Sequence, residues 1–162
     1  MAAASGQLRW LWLSGVLIAL DQWTKSLIER TLELHETWMI LPVFNLVRAH
    51  NRGAAFSFLD GAGGWQRWMF TALAVVVSAA LLQWLRRLPR QSTLLAVALA
   101  CVLAGALGNA IDRLRLGYVI DFVQLHWRGH YFPVFNVADA AITVGAGLLL
   151  LDAWLASRRH SD

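Results

Sequence analysis

A single cysteine, Cys101, leaves no partner for an internal disulfide and no basis for a cysteine-built metal cluster. Other absences narrow the chemistry. No G-x-S-x-G occurs, and Ser14, Ser26 and Ser78 lie in or beside apolar runs while every histidine falls in an expected loop or tail. A serine nucleophile with a histidine base therefore has no support. No H-E-x-x-H occurs either. His126 and His130 are four apart but fall in an expected loop turn without a clear third ligand. There is no internal repeat and no low-complexity tract. No A-x-A-like cleavage site follows the first apolar run, where the chain reads Ala19-Leu20-Asp21-Gln22, so that run is read as retained.

What is present is apolar surface. The chain is 58% hydrophobic, with nine tryptophans and a mean hydropathy of +0.52, against about 45–50% apolar in a typical soluble domain. Four runs meet the requirement of about 20 apolar residues for a membrane-spanning helix: about 8–28, interrupted by Asp21 and Lys25, then 68–85, 93–111 and 137–155. Trp10, Trp12, Trp23, Trp65, Trp68, Trp84 and Trp154 sit near their ends, as interfacial aromatic belts do. The expected fold is an all-α membrane protein. One domain, residues 1–162, forms a bundle of four transmembrane helices. The formal charge of +4 is read as arginine at lipid headgroups rather than as nucleic-acid binding.

Four spans put both termini on one side. The short segments there, 1–9, 86–92 and 158–162, carry Arg9, Arg86, Arg87, Arg90, Arg158 and Arg159. The segments opposite, about 30–67 and 113–136, spread a similar number over about three times as many residues. Cytoplasmic termini and two outer loops are expected. Trp38 to Val47 and Tyr118 to Leu125 read as short strands, which predicts a small extracytoplasmic sheet formed by those loops. Asp60 to Gly64 reads as a flexible connection into the second helix.

The polar residues gather at the outward helix ends. Asp21 and Lys25 share one helical face, as do Asn109 and Arg113. Asn136 and Asp139 open the last helix, and Asn51, Arg52 and Asp121 lie in the outer loops. An ionisable residue at membrane depth costs about 2.5–3.5 kcal/mol on insertion scales, so such positions point to function. Each also has a plain structural reading. Asn136 to Asp139 reads as an N-cap with an acid at N3, where a helix dipole favours negative charge. Asp21 and Lys25 could form only an ion pair, and Asp121 could pair with Arg113 or Arg115. Gly105, Gly108, Gly145 and Gly147 suit close helix packing. The chemistry left to the cluster is that of paired carboxylates. Two aspartates sharing a proton can activate a water, one as base and the other as acid. Asp121 and Asp139 are the candidates. An ion-coupled carrier using Asp21, Lys25 and Asp139 as a relay is the alternative, and a non-enzymatic assembly factor is another.

The chain resembles the lipoprotein signal peptidases (signal peptidase II), membrane aspartyl endopeptidases of bacteria. The segments that carry this are Asp21-Gln22-Trp23-Thr24-Lys25, Asn51-Arg52-Gly53-Ala54-Ala55-Phe56-Ser57 and Gly105 to Arg113. Val119-Ile120-Asp121-Phe122 and Phe135-Asn136-Val137-Ala138-Asp139 complete the set. Ala104 stands where many members have glycine, a small-for-small change. The resemblance implies an Asp121–Asp139 dyad. Asn51, Gly53, Asn109, Arg113 and Asn136 would bind substrate or orient the dyad, with Asp21 and Lys25 in support. It implies no metal and no cofactor. The implied substrate is a prolipoprotein whose lipobox cysteine carries diacylglycerol, cut just before that cysteine. Globomycin-type inhibitors, membrane lipids and a monomeric state in the bacterial inner membrane, with the active site at the outer face, are the remaining expectations. A clamp over the peptide by the outer sheet and the loop around Gly53 is expected as well.

Overall fold

The computed structural model describes residues 6–53 and 63–159. Four long helices run as α1 (Leu11–Thr31, preceded by a 3-10 turn at Leu8–Trp10), α2 (Trp65–Arg87), α3 (Thr93–Arg115) and α4 (Val137–Arg159). Each reaches beyond the apolar run that announced it. Hydropathy falls where charged residues begin, whereas the backbone hydrogen bonds continue; α3 in particular carries Asp112, Arg113 and Arg115 within its last turns. By length and composition α2, α3 and α4 are apolar enough to cross a membrane.

α1 is built the other way round from a helix of a soluble protein. Its buried residues are Ser14, Asp21, Lys25 and Ile28, while Trp12, Val16, Leu20, Trp23 and Leu27 are exposed. A polar stripe turned inward and an apolar stripe turned outward suit a lipid surround. Ser14 donates to the Ala100 carbonyl of α3 at 2.8 Å.

α3 is the central helix and packs against α1, α2 and α4. Small residues let α4 approach it closely. A Cβ at Gly105 would strike the Ala138 carbonyl. One at Gly145 would lie 2.6 Å from Val102 Cγ2; Gly108 serves the approach of α1 in the same way, a Cβ there lying 2.7 Å from Asp21 Oδ2. Gly147, expected to serve the same purpose, has open space around it. Leu81, Leu85, Leu88, Ala96, Leu99 and Leu103 form the core between α2 and α3. At that end buried Gln7 closes the α2–α3 turn, donating from its side chain to the carbonyls of Pro89 (2.9 Å) and Arg90 (2.6 Å).

The other end carries a four-stranded antiparallel sheet in sequence order: β1 (Thr37–Leu41), β2 (Phe44–Asn51), β3 (Val119–Trp127) and β4 (His130–Tyr131). The run from Trp38 to Val47, expected as one strand, is two. Pro42 and Val43 form the turn between them, because proline offers no N–H to continue a ladder. β3 turns into β4 at Arg128 and Gly129, both with positive φ (49° and 83°), as a two-residue hairpin loop requires. His126 and His130 belong to this hairpin, and His126 Nε2 lies 3.3 Å from Asn45 Oδ1. Ile120 and Phe122 of β3 bury against Ile28 and Leu32, fixing the sheet to the end of α1. Side chains alternate along a strand, so Asp121 points the opposite way. The connection expected at residues 60–64 lies mostly outside the described residues.

Candidate active site

α4 begins with a reciprocal cap. The Asp139 N–H donates to Asn136 Oδ1 at 2.9 Å, and the Asn136 N–H donates to Asp139 Oδ2 at 3.2 Å. The structural reading of Asp139 is therefore correct as far as it goes, but it uses one oxygen. The other, Oδ1, accepts from Asn109 Nδ2 at 2.8 Å.

Asp121 approaches from β3 and is 3% exposed. Its Oδ1 accepts from Asn136 Nδ2 at 2.7 Å and its Oδ2 from Asn51 Nδ2 at 3.0 Å. No ion pair joins it to Arg113 or Arg115 among the described residues. Arg115 reaches instead toward Gln22 Oε1, at 3.4 Å. Burial raises the Asp121 carboxyl from 3.8 to about 7, and the neighbouring Asp139 carboxylate adds to the rise. The donors Asn51 and Asn136 and the charge of Lys25 oppose it.

Asn136 thus touches both aspartates, meeting the Asp121 carboxylate through its side chain and the Asp139 carboxylate through its main-chain N–H. Both carboxylates line one cavity of about 770 Å³. Asn51, Asn109 and Arg113 supply its other polar lining. Phe70, Leu73, Ala74 and Val77 of α2, Val102 and Ala106 of α3, Ile142 and Thr143 of α4 and the segment from Phe132 to Phe135 supply most of the rest. Arg113 Nη2 donates to the Gly53 carbonyl at 3.0 Å, and the Gly53 N–H donates to Asn51 Oδ1 at 3.0 Å. The guanidinium also lies 5.0 Å from the Phe70 ring. Among the described residues its buried Nε finds no acceptor.

Asp21 and Lys25 do not line the cavity. They sit behind Asn109 in a buried cluster with Asp112, where Lys25 Nζ lies 2.9 Å from Asp21 Oδ2 and 2.8 Å from Asp112 Oδ2. Asp112 was not singled out from the sequence as a site residue, and neither was Gln22, which donates to Asp112 Oδ1 at 2.8 Å. The signal existed: Asp112 follows Asn109 by three residues, on the same helical face. Of the clamp expected of the outer sheet and the loop around Gly53, residues 54–62 lie outside those described.

The family model for signal peptidase (SPase) II matches residues 13–155. The chain is 55% identical over 149 residues to a lipoprotein signal peptidase of Pseudomonas syringae pv. tomato, covering 91% of this chain and 86% of the relative. Over 155 residues it is 50% identical to a lipoprotein signal peptidase of Alteromonas mediterranea, covering 96% and 85%. A bacterial membrane enzyme solved by the in meso method at 2.3 Å resolution matches with a TM-score of 0.84 at 28% identity, over 95% of this chain and 92% of that one.

Proposed function

The chain belongs to the signal peptidase II family, and from that premise we propose that it is a membrane aspartyl endopeptidase that removes the signal peptide from diacylglyceryl-modified prolipoproteins, cutting just before the lipid-bearing lipobox cysteine. The observation that supports this best is the convergence of Asp121 and Asp139 on one largely apolar cavity, with Asn136 hydrogen-bonded to both.

The chemistry follows from the two environments. Asp121, raised to about 7, enters the reaction carrying its proton. Asp139 sits at the first turn of α4, where the helix dipole favours negative charge. A water between them gives a proton to Asp139 as its oxygen attacks the scissile carbonyl carbon, and the carbonyl oxygen takes the proton of Asp121. The resulting diol collapses as the C–N bond breaks. The leaving amine, that of the lipidated cysteine, takes the proton from Asp139. Asp121 recovers one from a diol hydroxyl as the new carboxyl forms. No covalent intermediate, metal or cofactor is needed. Asn51, Asn109 and Asn136 hold the carboxylates, while Arg113, with Gly53 beside it, is poised to take a substrate carbonyl.

The setting follows from the same reading. The whole chain acts as one domain with α1 as the fourth span. That is possible because Lys25 is neutralised by buried carboxylates and the outward stripe of α1 is apolar. Arg9, Arg86, Arg87, Arg90 and Arg158 lie at the end remote from the sheet, which supports the reading that both termini are cytoplasmic and that the dyad opens at the outer face of a bacterial inner membrane. The cavity then admits a substrate whose lipid chains remain in the bilayer, and a globomycin-type inhibitor would compete for it. The enzyme acts as a monomer on its prolipoprotein.

Purified protein in detergent, given a diacylglyceryl-modified prolipoprotein, should release a product whose mass begins at the modified cysteine. A folded preparation that leaves this substrate intact, or cuts it elsewhere, overturns the reading.

A further inference from the structure

Behind the dyad, the cluster of Lys25, Asp21 and Asp112 has no part in the proton transfers above. All three are almost wholly buried, at 2%, 1% and 3% exposure. An ammonium has three N–H donors, and Lys25 directs them at three acceptors. Two are Asp21 Oδ2 and Asp112 Oδ2, which neutralise it. The third is Asn109 Oδ1, at 3.0 Å.

That third contact decides how Asn109 faces the dyad. Lysine cannot accept a hydrogen bond, so the Asn109 atom turned to it has to be oxygen, which leaves Nδ2 to donate to Asp139 Oδ1. The same oxygen accepts at 3.1 Å from Asn136 Nδ2, the nitrogen that also meets Asp121 Oδ1. Turned over, Asn109 would present an oxygen to Asp139 and an NH2 to two other donors. The carboxylates of the cluster reach the dyad by a second route. Asp21 Oδ1 accepts from the Ala138 N–H at 2.9 Å, and Asp112 Oδ2 accepts from the Ile120 N–H at 3.3 Å. Those peptide groups immediately precede Asp139 and Asp121.

We propose that Lys25 is a positioning residue: it locks the Asn109 amide so that both aspartates face N–H donors. This rests on the aspartyl reading given above.

Lys25→Met alone would leave two buried carboxylates without a counter-charge, so the informative variant is Lys25→Met with Asp21→Asn. It keeps the formal charge of the cluster at −1, because one cation and one anion are lost together. With folding checked by thermal melting, its kcat should fall about 100-fold, the scale of a small misplacement of reacting groups, while KM stays within about threefold. In an Asn109→Ala background, followed under single turnover, adding the same pair of changes should lower the rate by no more than about threefold, because the amide they act on is gone. A kcat near that of wild type overturns the proposal. So does a rise in KM alone, or a full hundredfold loss that persists without the Asn109 amide. Asp121→Asn is run alongside: if it cleaves normally, the aspartyl reading itself fails, whatever the Lys25 variants do.

Discussion

Replacing Asp121 by asparagine should make the protein inactive and, above neutral pH, more stable. The unfolded chain holds this carboxyl at its ordinary 3.8, whereas the fold raises it to about 7. Between those values the unfolded state has released the proton and the folded state still holds it. Stability conferred by this group is therefore complete below about 3.8 and is lost as pH rises to about 7, beyond which the loss is constant. At about 1.36 kcal/mol per tenfold change, the cost above pH 7 is on the order of 4 kcal/mol. Asparagine stays neutral and removes it. The variant keeps an oxygen to accept from Asn136 but turns an NH2 toward the donor of Asn51, which costs roughly 1 kcal/mol or more. A net gain of about 1–3 kcal/mol is expected at pH 8, a rise of several degrees in melting temperature, and no gain near pH 4. The assay is thermal melting of both proteins in the same detergent at fixed scan rate, at the two pH values. A variant less stable than wild type by the same amount at both would refute the claim that Asp121 is held protonated at the expense of the fold.

Two further outcomes follow from the same geometry. The pH dependence of kcat/KM should have an alkaline limb near pH 7, where Asp121 loses the proton that the proposed mechanism has it donate, so a profile flat to pH 9 would contradict the assignment. Gly105→Ala should lower the melting temperature and the activity, because the added methyl meets the Ala138 carbonyl beside Asp139, an overpacking cost of about 1–3 kcal/mol; Gly147→Ala, which meets nothing, is the matched control and should do neither.

α2, α3 and α4 were legible because composition and length suffice where a segment is apolar on nearly every side, and α1 because its apolar run is interrupted only by Asp21 and Lys25. Their ends were not, since α3 runs on through Asp112, Arg113 and Arg115 after hydropathy has fallen. The β1–β2 hairpin hid inside a largely apolar run, although Pro42 marks the break once the missing N–H is considered. Gly147 failed as a packing residue because a glycine in a helix says nothing of what lies opposite, and what lies opposite is open. That Asp121 and Asp139 share one cavity could be suspected from two aspartates at the outward ends of elements. Asn136 as the group that touches both could not, because that depends on β3 and the start of α4 meeting in space. The Lys25 cluster was half legible. The i, i+4 pair with Asp21 is local, but Asp112 comes from another helix, and only the packing of α1 on α3 brings it within 2.8 Å.

The most direct test is cleavage of purified diacylglyceryl-modified prolipoprotein by wild type, Asp121→Asn and Asp139→Asn, each shown to be folded and used in equal amounts. Cleavage by wild type alone, with both variants reduced at least about a thousandfold, as when an essential acid or base is lost, is the result predicted. Full activity in either variant would contradict the dyad and leave Asp139 as the helix cap its hydrogen bonds to Asn136 already make it.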